Sequence, residues 1–144
     1  MRVDRATPGD TPAAEALLSA AGLPIEGAAE ALSALGVVGR VGNRIVATAA
    51  VERYDDSGLL RSVAVDVRDR GSGLGREIVG AAEALARREG IHELYLLTET
   101  AVDWFPRLGY EPVDRGAAEA AVGASVEFTT VCRDTGTAMR KYLG

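Results

Sequence analysis

One cysteine, Cys132, stands in a chain of 144 residues, so no disulfide can close within it and a reducing compartment suits it. Histidine is as scarce, at His92 alone, and with one residue of each type the usual zinc ligand sets cannot be assembled. No metal site is expected. An excess of basic charge is missing too: the net charge is −5, the opposite of what phosphate neutralisation needs, which argues against a nucleic-acid binder. Lys141 is the lone lysine among 16 basic residues. No apolar run approaches the roughly 18 residues of a membrane span. The opening Met1-Arg2-Val3-Asp4-Arg5 carries charge where a secretory leader is apolar, which predicts a cytoplasmic protein.

What is present suits one packed domain over 1–144. Hydrophobic residues make up 47% of the chain, enough for a core, and there is no repeat, linker or low-complexity stretch. A strand is expected over residues 1–6. A helix follows, capped by Asp10 or Thr11 with Pro12 in its first turn and Ala13, Leu17, Leu18 and Ala21 on one face. A weaker helical stretch runs from Leu23-Pro24 to about Leu35. Strands at 36–41, 45–54 and 59–65 are separated by Gly42-Asn43 and by Asp55-Asp56-Ser57-Gly58, both turn signals.

Leu74, Ile78, Ala81, Ala82 and Leu85 then recur at helical spacing, with Arg76, Glu83, Arg87 and Glu89 on the opposite face. A near-continuous apolar strand spans 93–98, and a short helix 101–108. A brief strand near 110–113, a helix near 117–122 and a last strand near 137–142 complete the order. Three antiparallel strands followed by a strand-helix-strand crossover predict an α/β fold, a mixed central sheet with helices on both faces.

Chemistry concentrates in Arg70-Gly71-Ser72-Gly73-Leu74-Gly75, between a buried strand and an amphipathic helix. Glycines let the backbone turn sharply and approach a ligand, and the first helix amides point outward where the dipole favours anions. A diphosphate fits such a site. Two rival phosphate motifs fail: a dinucleotide fingerprint needs glycine where Arg76 stands, and a P-loop starting at Gly75 would need Lys-Ser/Thr where Ala81-Ala82 stand.

The surviving Arg-x-x-Gly-x-Gly pattern, Arg70, Gly73 and Gly75 after the strand Leu60–Val65, resembles the acetyl-CoA motif of the GNAT superfamily of N-acetyltransferases. The resemblance reaches upstream to Arg2–Thr7 and downstream through Phe105-Pro106-Arg107-Leu108-Gly109-Tyr110. It implies an acyl-CoA N-acyltransferase fold, acetyl-CoA as co-substrate and acetyl transfer to an amine. The loop amides Gly71, Ser72, Gly73, Leu74, Gly75 and Arg76, with Arg70, would hold the pyrophosphate. Val63, Ala64 and Val65 would offer backbone groups to the pantetheine arm, the Val65 amide polarising the acetyl carbonyl. The flanking segments are similar to amino-acid N-acetyltransferases of the N-acetylglutamate synthase type, and most similar to GNAT proteins associated with arsenic-resistance gene clusters. Val126-Glu127-Phe128, Cys132 and Met139 carry part of that second likeness, although Cys132 is followed by Arg133 where that group has proline. The expected partners are a small-molecule amine, of the class of amino acids or their toxic analogues, and a second copy of the chain in a homodimer.

Acetyl transfer requires a neutral amine, a polarised thioester and a protonated leaving thiolate. Glu52, beside the cofactor strand, is a candidate base, or else an exposed edge carboxylate; Glu99, at the end of the next strand, is the second candidate. Many relatives place a tyrosine where Phe105 stands, and a phenyl ring donates no proton. Tyr110 reads as a core aromatic, Cys132 as a small apolar residue and His92 as solvent-facing. Strand alternation groups Arg61 with Val63 and Val65. At a cleft mouth Arg61 could bind a substrate carboxylate; otherwise it pairs with Asp55 or Asp56 on the surface. Two other readings stay open: an acyl-CoA sensor without turnover, and a protein N-acetyltransferase.

Overall fold

The computed structural model describes residues 1–125 and 136–144. Turn chemistry sets its first hairpins. Gly42 takes φ +62° between β2 (Gly36–Val41) and β3 (Arg44–Tyr54), whose ends pair Val41 with Arg44. Asp55 takes φ +57° in an equally tight turn, so that Tyr54 faces Ser57, the first residue of β4 (Ser57–Val65). β1 (Arg2–Arg5) pairs antiparallel with β2. β5 (Glu93–Thr98) runs parallel to β4, and β7 (Thr137–Tyr142) and β6 (Glu111–Pro112) close the far edge antiparallel. The result is a seven-stranded mixed sheet of order β1-β2-β3-β4-β5-β7-β6.

Helices cover both faces, as expected for this order. On one side α3 (Leu74–Arg88) buries Ile78, Val79, Ala82, Leu85 and Ala86 against Val46, Val51, Leu60 and Leu94. On the other side α1 (Thr11–Ala20) and α2 (Ala28–Leu35) pack Ala14, Ala31 and Leu32 onto Ala50. There, too, α4 (Arg115–Val122) sets Ala118 and Val122 against Leu59 and Tyr95. Each fully buried aliphatic side chain contributes about 1.5–3 kcal/mol of transfer free energy. None of the described helices is long and apolar enough to cross a membrane.

Four expectations shift. Glu83, assigned to the polar face of its helix, is buried: its carboxylate accepts Tyr110 Oη at 2.9 Å and Lys141 Nζ at 3.0 Å to each oxygen. Helical spacing marks i+3 and i+4 neighbours but cannot announce a partner arriving from another strand. On α1 the buried alanine is Ala14 rather than Ala13, and Asp10 turns its side chain back to Thr7 and Arg40 instead of capping the helix. The helix expected over 101–108 contracts to a 3-10 turn at Phe105–Leu108, since Pro106 offers no N–H for a longer ladder.

Candidate active site

β4 and β5 stay paired only from Ser57 and Glu93 to Leu59 and Tyr95, after which they diverge. The cause lies in β4. Ser62 and Val63 together oppose the single residue Ala49, because the register passes from Ala50–Arg61 to Thr48–Ala64. Ser62 has φ +58°, a left-handed conformation that costs a side-chain-bearing residue about 1–2 kcal/mol. This bulge bends β4 and resets its alternation: Leu60, Val63 and Val65 all pack on the α3 side. The sequence-based grouping of Arg61 with Val63 and Val65 is therefore corrected, since strict two-residue alternation fails where a strand carries an extra residue.

Between the parted strands opens a cleft of about 970 Å³. Its walls are residues 60–65 of β4 and 96–101 at the end of β5. The 21–26 connection between α1 and α2 borders it, as do Trp104, Phe105 and the glycine loop. Asp66 N–H donates to Val46 O at 2.7 Å, so the main chain of Val65, one residue earlier, points away from β3 and toward the cleft. Val63 shares that orientation by alternation, whereas Ala64 faces Thr48 across the ladder. Val65 O already accepts Arg70 Nε at 3.1 Å.

The loop below β4 is tied by its own polar groups. Asp66 accepts Arg68 Nε and Nη2 and the Arg68 N–H, and these bonds hold its carboxyl down at about 2. Arg44 bridges Asp66 and Asp69, and Ser72 Oγ donates to Asp69 O at 2.8 Å. Gly71 and Gly73 lie at φ +87° and +84°, conformations that disfavour a side chain even though a Cβ there would touch nothing. Gly75 has a different reason: its Cβ would come within 2.8 Å of the Trp104 ring. The first helical bond runs from the Glu77 N–H to Gly73 O, so the amides of Leu74, Gly75 and Arg76 lack intrahelical acceptors. They face the cleft between the Arg70 and Arg76 side chains, at the positive end of the α3 dipole, where an anion is favoured.

A model of the acetyltransferase (GNAT) domain matches residues 33–112, more than half of the chain. The chain belongs to the GNAT acetyltransferase family. Among curated relatives, the amino-acid acetyltransferase of Ectopseudomonas mendocina is 39% identical over 70 residues, covering 47% of this chain and 16% of its own length. An uncharacterized N-acetyltransferase of Chlorobaculum tepidum is 38% identical over 56 residues, 39% of this chain and 36% of that one. This GNAT chain thus spans a minor part of the length of these curated relatives. The fold is shared with N-acetylglutamate synthase from Neisseria gonorrhoeae in complex with coenzyme A and N-acetyl-glutamate. That match has a TM-score of 0.83 and 20% identity, over 99% of this chain and 35% of the synthase. Rv2747 of Mycobacterium tuberculosis, complexed with CoA, aligns at TM-score 0.77 and 22% identity over 99% of both chains.

Within this GNAT fold the expected polar residues part company. Arg61 is wholly buried and meets neither Asp55 nor Asp56 in the surface pair weighed for it. It donates instead to Glu52 Oε2 at 3.0 Å, Glu26 O at 2.6 Å and Ser62 Oγ at 3.1 Å. The other Glu52 oxygen accepts the Tyr54 hydroxyl at 2.8 Å. Burial, and then the Glu52 carboxylate, push that hydroxyl up to about 12. Glu52 borders a neighbouring groove beside α2, whereas Glu99 borders the cleft itself. Phe105 forms the cleft wall in edge contact with Trp104 at 4.9 Å and Tyr110 at 5.7 Å. Tyr110 is buried as expected; desolvation, then the Glu83 charge, raise its hydroxyl far above the ordinary range. His92 is exposed.

Sequence reading missed Trp104, Ser62, Thr48 and Glu26. A glycine four residues from another glycine-loop position could have signalled close packing at Gly75, but nothing local names Trp104 as its neighbour. Cys132 and Val126-Glu127-Phe128 lie outside the described residues.

Proposed function

We propose that the chain is an N-acetyltransferase that moves an acetyl group from acetyl-CoA to the amine of a small molecule, with amino acids or their analogues as the acceptor class. The observation that carries this reading is the cleft itself: one end is the anion site at Gly71–Arg76, and its length is the exposed main chain of a strand parted from its neighbour. The names of the amino-acid acetyltransferases it matches support the acceptor class.

With the diphosphate at the glycine loop, the pantetheine arm lies along Val65 and Val63, and the thioester comes deepest, beside the Ser62 bulge. The Val63 amide then replaces Val65 as our choice for polarising the acetyl carbonyl, being nearer the closed end of the cleft. The amine nitrogen attacks the carbonyl carbon, the C–N bond forms, the C–S bond breaks, and the proton shed by the amine balances the one the thiolate takes up. Glu99, on the cleft wall, is the carboxylate we assign to receive the amine proton, directly or through water. Glu52, turned to Arg61 and Tyr54, acts through those partners.

A coupled thiol-release screen over amino acids, polyamines and arsenic-containing amino-acid analogues tests this reading, with calorimetry of CoA binding alongside. Turnover on at least one amino acid or analogue is the expected result. Tight CoA binding without turnover on any amine would replace the enzyme with a sensor, the reading that Phe105 in the cleft wall favours.

A further inference from the structure

Two non-glycine residues among those described have positive φ, Asp55 and Ser62. Asp55 sits in a turn, where that conformation is ordinary, but Ser62 sits in the middle of a strand lining the cleft. Such a conformation persists only where its surroundings over-determine it. Here they do so from two sides. Thr48 Oγ1, itself buried on β3, donates to Ser62 O at 2.8 Å, while Arg61 Nε donates to Ser62 Oγ at 3.1 Å. The same guanidinium reaches across to Glu26 O at 2.6 Å, on the 21–26 connection that forms the opposing side of the cleft. Its charge is balanced in place by Glu52, which Tyr54 in turn holds.

We propose that Arg61, together with Thr48, is a positioning device that fixes the Ser62 bulge and the 21–26 connection in one relation. The main chain at Val63 and the wall facing the amine are thereby set together. This rests on the acetyl-transfer reading above and assigns Arg61 a task other than binding a substrate carboxylate. A planar fork with donors to three groups meets the geometry; an ammonium does not, although it would still neutralise Glu52.

The test uses Thr48→Val, Arg61→Lys and the double variant, each checked for folding by thermal melting. In Thr48→Val, kcat should fall about tenfold, as expected when reacting groups are displaced slightly, with the Kd for CoA within about twofold of the parent. Arg61→Lys should lower kcat similarly and also raise KM for the amine. The double variant should lose less than the product of the two, because both act on one residue. Hydrogen exchange at the Val63 amide, followed by NMR on the CoA complex, should quicken in each variant.

Unchanged kcat and unchanged Val63 exchange in folded variants would overturn the proposal, and so would CoA affinity falling in step with kcat. If Arg61→Lys does not fold, Thr48→Val alone decides. If the parent binds CoA but acetylates no amine, the enzymatic reading fails. Val63 exchange then decides the device by itself, faster exchange supporting it and unchanged exchange overturning it.

Discussion

Gly73 and Gly75 sit two residues apart in one loop, yet they exclude side chains for different physical reasons. Gly73 is open to solvent but left-handed, so Gly73→Val imposes strain of about 1–2 kcal/mol and rotates the amides that start α3. CoA affinity should fall by about tenfold or more, from the loss of oriented donors to a charged group, while the melt stays cooperative. Calorimetry checks it, and unaltered affinity would move the anion site elsewhere. Phe105 offers the converse experiment. Phe105→Tyr adds a hydroxyl at the cleft wall. It should raise kcat by a factor of about two to ten, below the usual general-acid effect of about 10²–10⁴ because a thiolate leaves readily. The glycine motif made the loop legible in sequence, since positive φ needs glycine whatever the tertiary context. Trp104 was not legible, because its contact with Gly75 joins residues 29 positions apart.

At the scale of elements, the junction of β1 and α1 depends on Asp10. Burial alone would raise its carboxyl, but the Thr7 N–H and the Arg40 guanidinium outweigh that and hold it below the usual value. A depressed folded pKa gives stability that is present above the unfolded carboxyl's pKa of about 3.9 and is lost as pH falls through the folded value. Asp10→Asn should therefore cost about 2 kcal/mol at pH 7 and little at strongly acid pH, measured by urea unfolding at both. Strand and helix order emerged from local patterns, α3 presenting one apolar face at helical spacing and β5 a short, near-continuous apolar run buried on both sides. The bulge in β4 left no such trace: Leu60–Val65 reads as an even strand, and only pairing with β3 reveals the extra residue.

Across the whole molecule, α3, β7 and the turn before β6 meet in one buried charged group. Glu83 accepts from Lys141 and Tyr110, and Lys141 Nζ also donates to Leu108 O at 2.8 Å. Lys141→Met should cost about 3–5 kcal/mol, because it strands the Glu83 carboxylate in the core. Adding Glu83→Leu should recover most of that loss. Denaturant titration of the single and double variants checks it, and a small loss in Lys141→Met would show that water reaches Glu83 freely. The Tyr110 ring also touches Phe105, so this group backs the aromatic wall of the cleft.

The sequence by itself determined the order of elements, the glycine loop and hence the expected donor, because propensity, periodicity and positive-φ turns are properties of a few adjacent residues. It left to tertiary structure the parting of β4 from β5, the burial of Arg61 and Glu83, and the placement of Glu52 on a neighbouring groove and Glu99 on the cleft. Those depend on which strand lies opposite and which side chain arrives from 9, 27 or 58 residues away, as the Arg61–Glu52, Tyr110–Glu83 and Lys141–Glu83 bonds do. Burial energies can choose such partners only once the sheet has assembled.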